Sequence, residues 1–279
     1  MRKLLSANFS RLRRDKIFWI MLLVTLVFSL LYTCNSVRSA QAMIVSGYVV
    51  SLDDYYFQLA PFAGLVFSIY ISLFLGAEIG DGVLRNKLIV GHTRTQVYLA
   101  NFLTCFLACL GFLAVWLLAG LPGVSLIGPF DMGWTGYFVY VCLAVCVTAA
   151  FTAVFTFAGT MCNNKALTVV VTLVVWLVLL LAASGMYDRL CEPEMQGGVV
   201  LVTETNQLEM LDPTPNPMYL GGTARKAVEC LMDLLPTGQA ILMANAEIEH
   251  PLRALLFSLL LTTSVTGLGL ACFRKKDIR

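Results

Sequence analysis

His92 and His250 are the only imidazoles in this 279-residue chain. A metal centre needs several ligands converging on one point, and a hydrolytic nucleophile needs a base beside it. The apolar runs between the two histidines assign them to opposite sides of a membrane, so they cannot share a metal. No Gly-x-x-x-x-Gly-Lys-Ser/Thr run offers a phosphate cradle, and no apolar run carries the paired carboxylates of an intramembrane aspartyl site. The expectation is a protein with no catalytic residue, no directly bound cofactor and no metal. Nine cysteines suggest bridges until they are placed: Cys105, Cys109, Cys142 and Cys146 fall inside apolar runs, where a cysteine is a small packing residue. Cys34, Cys191 and Cys230 face the outside, and a Cys191–Cys230 disulfide would staple the outer loop in an oxidising compartment.

The elements that position these residues follow from composition. With 58% hydrophobic and 13% charged residues and a mean hydropathy of +0.80, the chain is an integral membrane protein. A helix crossing the hydrocarbon core needs about 20 predominantly apolar residues. Six segments qualify, at 17–34, 57–77, 96–121, 134–162, 166–186 and 252–273. The fold class is therefore an all-α membrane protein, a single transmembrane domain over 1–279. It has six helices, an interfacial amphipathic helix at 2–16 and an outer loop region at 187–250. A first span removed as a signal peptide at Ala40-Gln41-Ala42 is the weaker reading, because its apolar run is too long.

Basic residues set the orientation. With the N-terminus inside, Arg2, Lys3, Arg11, Arg13, Arg14 and Lys16 are cytoplasmic. So are Arg85, Lys87, Arg94, Lys165, Arg274, Lys275, Lys276 and Arg279, with the acids Asp15, Glu78, Asp81 and Asp277. Only Arg38, Arg189, Arg225, Lys226 and Arg253 are left outside. Both termini are expected in the cytoplasm of a cell in whose membrane the chain is multi-pass. The overall charge of +2 gives no reason to expect nucleic acid as a partner.

At about 100° per residue, Leu5, Phe9 and Leu12 share one face of the N-terminal helix, with Arg13 and Arg14 turned elsewhere, suiting a helix that lies on the lipid bilayer. The loop from Glu78 to Arg94 mixes both signs of charge with Leu84, Leu88 and Ile89, as a short helix docking on a partner would. In the fourth span Thr148, Thr152, Thr156 and Thr160 recur every four residues. Such a row lets helices approach and share hydroxyl hydrogen bonds, as a packing seam or as part of a pathway. In the outer loop, Asp212 to Pro217 holds three prolines and forbids helix. Ala224–Leu235 reads as a short helix ended by Pro236-Thr237-Gly238, with another starting at Gln239.

Ion-coupled transporters hold acids, bases or histidines at mid-membrane, and apart from Arg253 at the extreme edge of the last, these spans hold none. The energy source is expected on another polypeptide. The order of parts resembles an ABC-2 type permease, the membrane subunit of ATP-binding cassette exporters. The resemblance is strongest at Glu78, Gly82, Arg85 and Thr93-Arg94, similar to that family's Glu, Gly-x-x-Arg and Ser/Thr-Arg pattern. The proline often found before the last pair is replaced by Gly91-His92. The segment 235–239, Leu-Pro-Thr-Gly-Gln, also looks like the family's outer re-entrant element. The resemblance implies a cytoplasmic ABC ATPase partner binding ATP-Mg, a second permease subunit in a homodimer or heterodimer, and a bacterial cell membrane. It implies a coupling surface of Glu78, Asp81, Arg85, Lys87 and Arg94, and export of a drug, antimicrobial peptide or lipid-like substrate. The alternative is a non-transporting sensor or scaffold with a ligand-binding outer loop.

Overall fold

Where a chain leaves water, its backbone groups must pair within the segment, and long apolar runs do so as helices. The computed structural model describes residues 2–197, 199–202, 207–210 and 212–276; Asp277 and Arg279, counted above among the inner charges, lie outside them. In chain order the helices are α1 (Arg2–Arg14), α2 (Lys16–Val45), α3 (Asp53–Tyr56), α4 (Ala60–Gly80), α5 (Val83–Ile89) and α6 (Arg94–Gly120). Next come α7 (Pro122–Leu126), α8 (Gly133–Met161) and α9 (Lys165–Cys191). Four short strands follow, β1 (Met195–Gln196), β2 (Val199–Val202), β3 (Gln207–Met210) and β4 (Thr214–Pro215), then α10 (Gly222–Leu234), α11 (Pro236–Ala244) and α12 (Pro251–Lys275). Six candidate spans are long and apolar enough to cross a bilayer, namely α2, α3 with α4, α6 with α7, α8, α9 and α12. The all-helical, six-span expectation holds. The strands pair antiparallel, β1 with β4 and β2 with β3, in the proline-bearing segment that cannot be helix.

Two boundaries differ from the sequence reading. Helix α2 does not stop at Cys34 but continues to Val45, because polar residues such as Asn35 and Gln41 end an apolar run without ending a helix. Its 30 residues reach about 45 Å, beyond a hydrocarbon core of about 30 Å. Pro236 opens a helix instead of closing one. It sits in the first turn of α11, where its missing N–H costs nothing, and α10 meets α11 at 98°.

That corner explains its own residues. A Cβ on Gly238 would lie 2.3 Å from the Met232 carbonyl oxygen, so only glycine lets the two helices meet so closely. Thr237 donates to the Leu179 carbonyl of α9 at 2.9 Å. Gln239, fully buried, donates to the carbonyls of Asp233 and Ala254 and accepts from Ser258 at 2.7 Å, tying α10 to α12.

Helices α4, α6 and α8 form the centre. In the most apolar stretch of each of these spans 44–56% of residues are buried, against 11–17% in α2, α9 and α12, whose remaining apolar surface suits lipid. Helix α8 packs on α4, α6, α9 and α12. The threonine row lies buried in this packing. Its hydroxyls differ from expectation: Thr148 donates to Ala144 and Thr152 to Thr148, both at 2.7 Å, and Thr160 to Phe157 at 3.0 Å. These bonds turn back onto the same helix. In an apolar surround the carbonyl four residues behind is the acceptor always within reach. Thr156 Oγ1 has no hydrogen-bond partner among the described residues.

Candidate functional site

The polar machinery gathers at the end of the bundle that carries α1. Asp15 ends that helix and caps α2, its carboxylate accepting from the Ile17 N–H at 2.9 Å. Helix α4 runs past Ala77 to Gly80, which carries Glu78 into the protein instead of into a loop. Gly82 (φ +67°) and Gly91 (φ +98°) take the left-handed turns on either side of α5. Gly91 thus supplies the turn for which a proline is missing, and Thr93 caps α6 in a reciprocal box with Gln96.

Glu78 is 1% exposed and accepts three hydrogen bonds, one from each of three helices. Its Oε1 takes Arg11 of α1 at 3.1 Å and Lys87 of α5, and its Oε2 takes the Asn101 amide of α6 at 2.6 Å. Asn101 Oδ1 accepts from Asn8 at 3.0 Å and from Lys87 at 3.3 Å, and Lys87 also donates to Asn8 Oδ1 at 2.9 Å. Arg11 lies over the Phe74 ring at 4.8 Å. Five side chains therefore close one network that fastens α1 and α5 to α4 and α6. A buried ion pair of this kind holds only while its spare hydrogen-bonding capacity is filled, which the two asparagines do.

This geometry sorts the residues expected on a docking face. Asp81 and Arg85 are exposed there, with Ile89 and Val90 at 71% and 77% exposure. Glu78 and Lys87 are withdrawn, because a lone carboxylate at a helix end is better satisfied by converging donors than by the surface. Leu84 and Leu88 pack on their own chain, with Leu4, Tyr98 and Phe273. Arg94 is also drawn inward: it donates to the carbonyls of Phe273 and Arg274 at 3.1 Å, and to that of Lys276. It thereby caps the end of α12. Lys276 in turn donates to the carbonyls of Thr160 and Cys162 at 2.9 and 2.5 Å, capping α8. Burial pushes the Lys276 ammonium below its ordinary pKa.

On α1 the residues buried within the protein are Leu4, Asn8 and Leu12, so of the face expected to meet the bilayer only Leu12 packs fully inward. Phe9 is exposed and Leu5 half-buried, since Asn8 must reach Asn101 and this rotates the helix. Arg13 and Arg14 are exposed beside Trp19, whose indole donates to the Arg13 carbonyl at 2.9 Å. Asn8 and Asn101 escaped the sequence reading, and Arg11 entered it only as one of the inner charges. The one available signal was Asn101, a lone amide two turns into an apolar helix, where an unpaired polar group is costly. Cys191 and Cys230, considered above as a bridge, are both free thiols.

A bundle of six apolar spans, with its buried carboxylates Asp53, Glu78 and Asp233 near or beyond the span ends, defines a polytopic membrane protein. The chain belongs to the ABC-2 family: the model described as ABC-2 family transporter protein matches residues 4–179, from α1 into α9. It is thus the membrane subunit of an ABC-2 transporter, a non-catalytic, multi-pass component of a family that works with an ATPase subunit. No curated protein matches the chain.

Proposed function

We propose that the chain is the export permease of an ATP-driven pump, with the α1 end in the cytoplasm and a separate ABC ATPase docked against it. The basic residues of α1 and of the α4–α6 connection favour that orientation. Asp81, Arg85, Ile89 and Val90 form the docking tip, an apolar pair flanked by both signs of charge. The single observation carrying this reading is the closed network around Glu78. A push on α5 reaches Lys87, then Glu78 on α4 and Asn101 on α6, with no slack residue between. Nucleotide-driven movement of the partner would then tilt α4 and α6 together. A second permease subunit, identical or related, completes the pathway, and the substrate proposed is a drug, an antimicrobial peptide or a lipid-like molecule.

The test is reconstitution of the chain with its ATPase in inverted vesicles. ATP-dependent accumulation of a fluorescent amphiphile is expected, and Arg85→Glu should cut substrate-stimulated ATP hydrolysis about tenfold while leaving insertion intact. Uptake driven by a proton or sodium gradient without nucleotide would overturn the reading. Partner signalling with no flux would point to a sensor instead.

A further inference from the structure

At the end of the bundle opposite α1, a cavity of about 390 Å³ opens among α9, α10, α11 and the start of α12. That size falls in the range of small-molecule sites, about 300–1,000 Å³. Its apolar lining is Leu190, Met232 and Leu242, which belong to one packed cluster. The rest of the lining carries both signs of charge, and internal pairing consumes most of it. Arg225 donates to Glu229 at 3.0 Å and Arg253 to Asp233 at 2.5 Å, so each arginine already has its carboxylate. Glu247 accepts only a neutral donor, the Tyr187 hydroxyl, at 2.9 Å. Glu249, exposed like Glu247, has no hydrogen-bond or ion-pair partner among the described residues.

The site is also held in place from several sides. Tyr187 orients Glu247 from α9, Asp233 is 5% exposed, and Gln239 binds the Asp233 carbonyl to that of Ala254. An anion would have to displace a carboxylate from an arginine. A metal ion is not served, because among the described residues no three His, Cys, Asp or Glu groups converge. What remains is a pair of exposed carboxylates, neither paired with a cation among the described residues, in a cavity that is also lined by Leu190, Met232 and Leu242.

We propose that this cavity binds an organic ammonium ion, its charge between Glu247 and Glu249 and its carbon skeleton against Leu190, Met232 and Leu242. Binding there would brace α9 against α10 and α12. The proposal needs neither ATP nor the partner ATPase, so its failure leaves the transport reading untouched, and the reverse also holds.

Isothermal titration of phenethylamine into the purified full chain in lipid nanodiscs tests it, with 2-phenylethanol as the uncharged twin. Saturable binding of the amine is expected, at least tenfold tighter than the alcohol. Glu247→Gln with Glu249→Gln should erase that preference while the thermal midpoint stays put. Leu242→Trp should weaken amine binding by filling the cavity with both carboxylates intact. Equal affinity for amine and alcohol, wild-type affinity in the double variant, or no saturable binding would each overturn the proposal. Should Leu242→Trp fail to fold, the comparison of amine with alcohol on the native chain decides alone.

Discussion

Asn8 donates its amide to Asn101 at 3.0 Å, across 93 residues of sequence, and so fixes the roll of α1 on α6. The same contact sets which face of α1 is left exposed and brings Arg11 to Glu78. Removing either amide strands its partner beside Lys87. Asn8→Leu and Asn101→Leu should each cost about 1–3 kcal/mol. The double variant should cost clearly less than their sum, since both act on one network. Unfolding of the purified chain measures this, and strict additivity would show the two amides to be independent.

The Glu78–Lys87 pair predicts a different pattern. Lys87→Met leaves a nearly buried carboxylate with one cation fewer, and Glu78→Gln leaves two cations facing each other. Each should destabilise by about 3–5 kcal/mol, and the combination should recover much of the loss because neither an underpaired carboxylate nor two facing cations then remain, only Arg11 beside a neutral amide. A double variant worse than both singles would rule out a closed pair.

Packing and pathway roles for the threonine row separate cleanly. Thr152 donates to its own helix, so Thr152→Val gives up one modest bond, about 1 kcal/mol. Thr156 has a buried hydroxyl with no partner, so Thr156→Val should leave the thermal midpoint unchanged or raise it. If transport falls in Thr156→Val while the midpoint holds, the hydroxyl faces substrate instead.

How far these features were readable in sequence depends on how local their causes are. The six spans were legible because apolar length is a property of each segment alone. The end of α2 was not, since a helix ignores the polar residues from Asn35 onward and stops only near Gly47. Glu78, Lys87 and Arg94 stood out by their mixture of charges. Whether they faced a partner or the interior was decided by Asn8, Asn101 and the Phe273 carbonyl, far away in sequence. The threonine spacing announced close packing, yet not where the hydroxyl protons go. Pro236 was misplaced because a proline that ends one helix and a proline that begins the next look alike in a linear string.

Lys276 gives a pH dependence whose sign is fixed. Burial lowers its folded pKa, so between that value and the ordinary lysine pKa of about 10.4 the unfolded chain binds more protons. This group therefore adds stability as pH rises through that window, against a penalty below it. The difference in thermal midpoint between the native chain and Lys276→Met should shift in favour of the native chain on going from pH 8 to pH 10. An unchanged difference would mean that Lys276 is solvated like any surface lysine.

Gly238 and Gly267 make a matched test of the α10–α11 corner. Both are helical glycines, and in a helix alanine is ordinarily the better residue by about 0.5–1 kcal/mol. A Cβ at Gly267 would meet nothing within 4 Å, so Gly267→Ala should stabilise the chain or leave it unchanged. At Gly238 the same methyl would lie 2.9 Å from both the carbonyl carbon and the Cα of Met232, and backbone there cannot swing aside as a side chain would. Overpacking of this kind costs about 1–3 kcal/mol, and relief requires α10 to lift away from α11. Lifting would loosen the Gln239 bridges to Asp233 and Ala254 and free the exposed Cys230 of α10 further. Gly238→Ala should therefore lower the thermal midpoint and speed thiol labelling of Cys230, with Cys34 on α2 unaffected. Equal behaviour of the two alanine variants would mean that the corner yields without strain, and that the close approach at Gly238 does not hold these helices together.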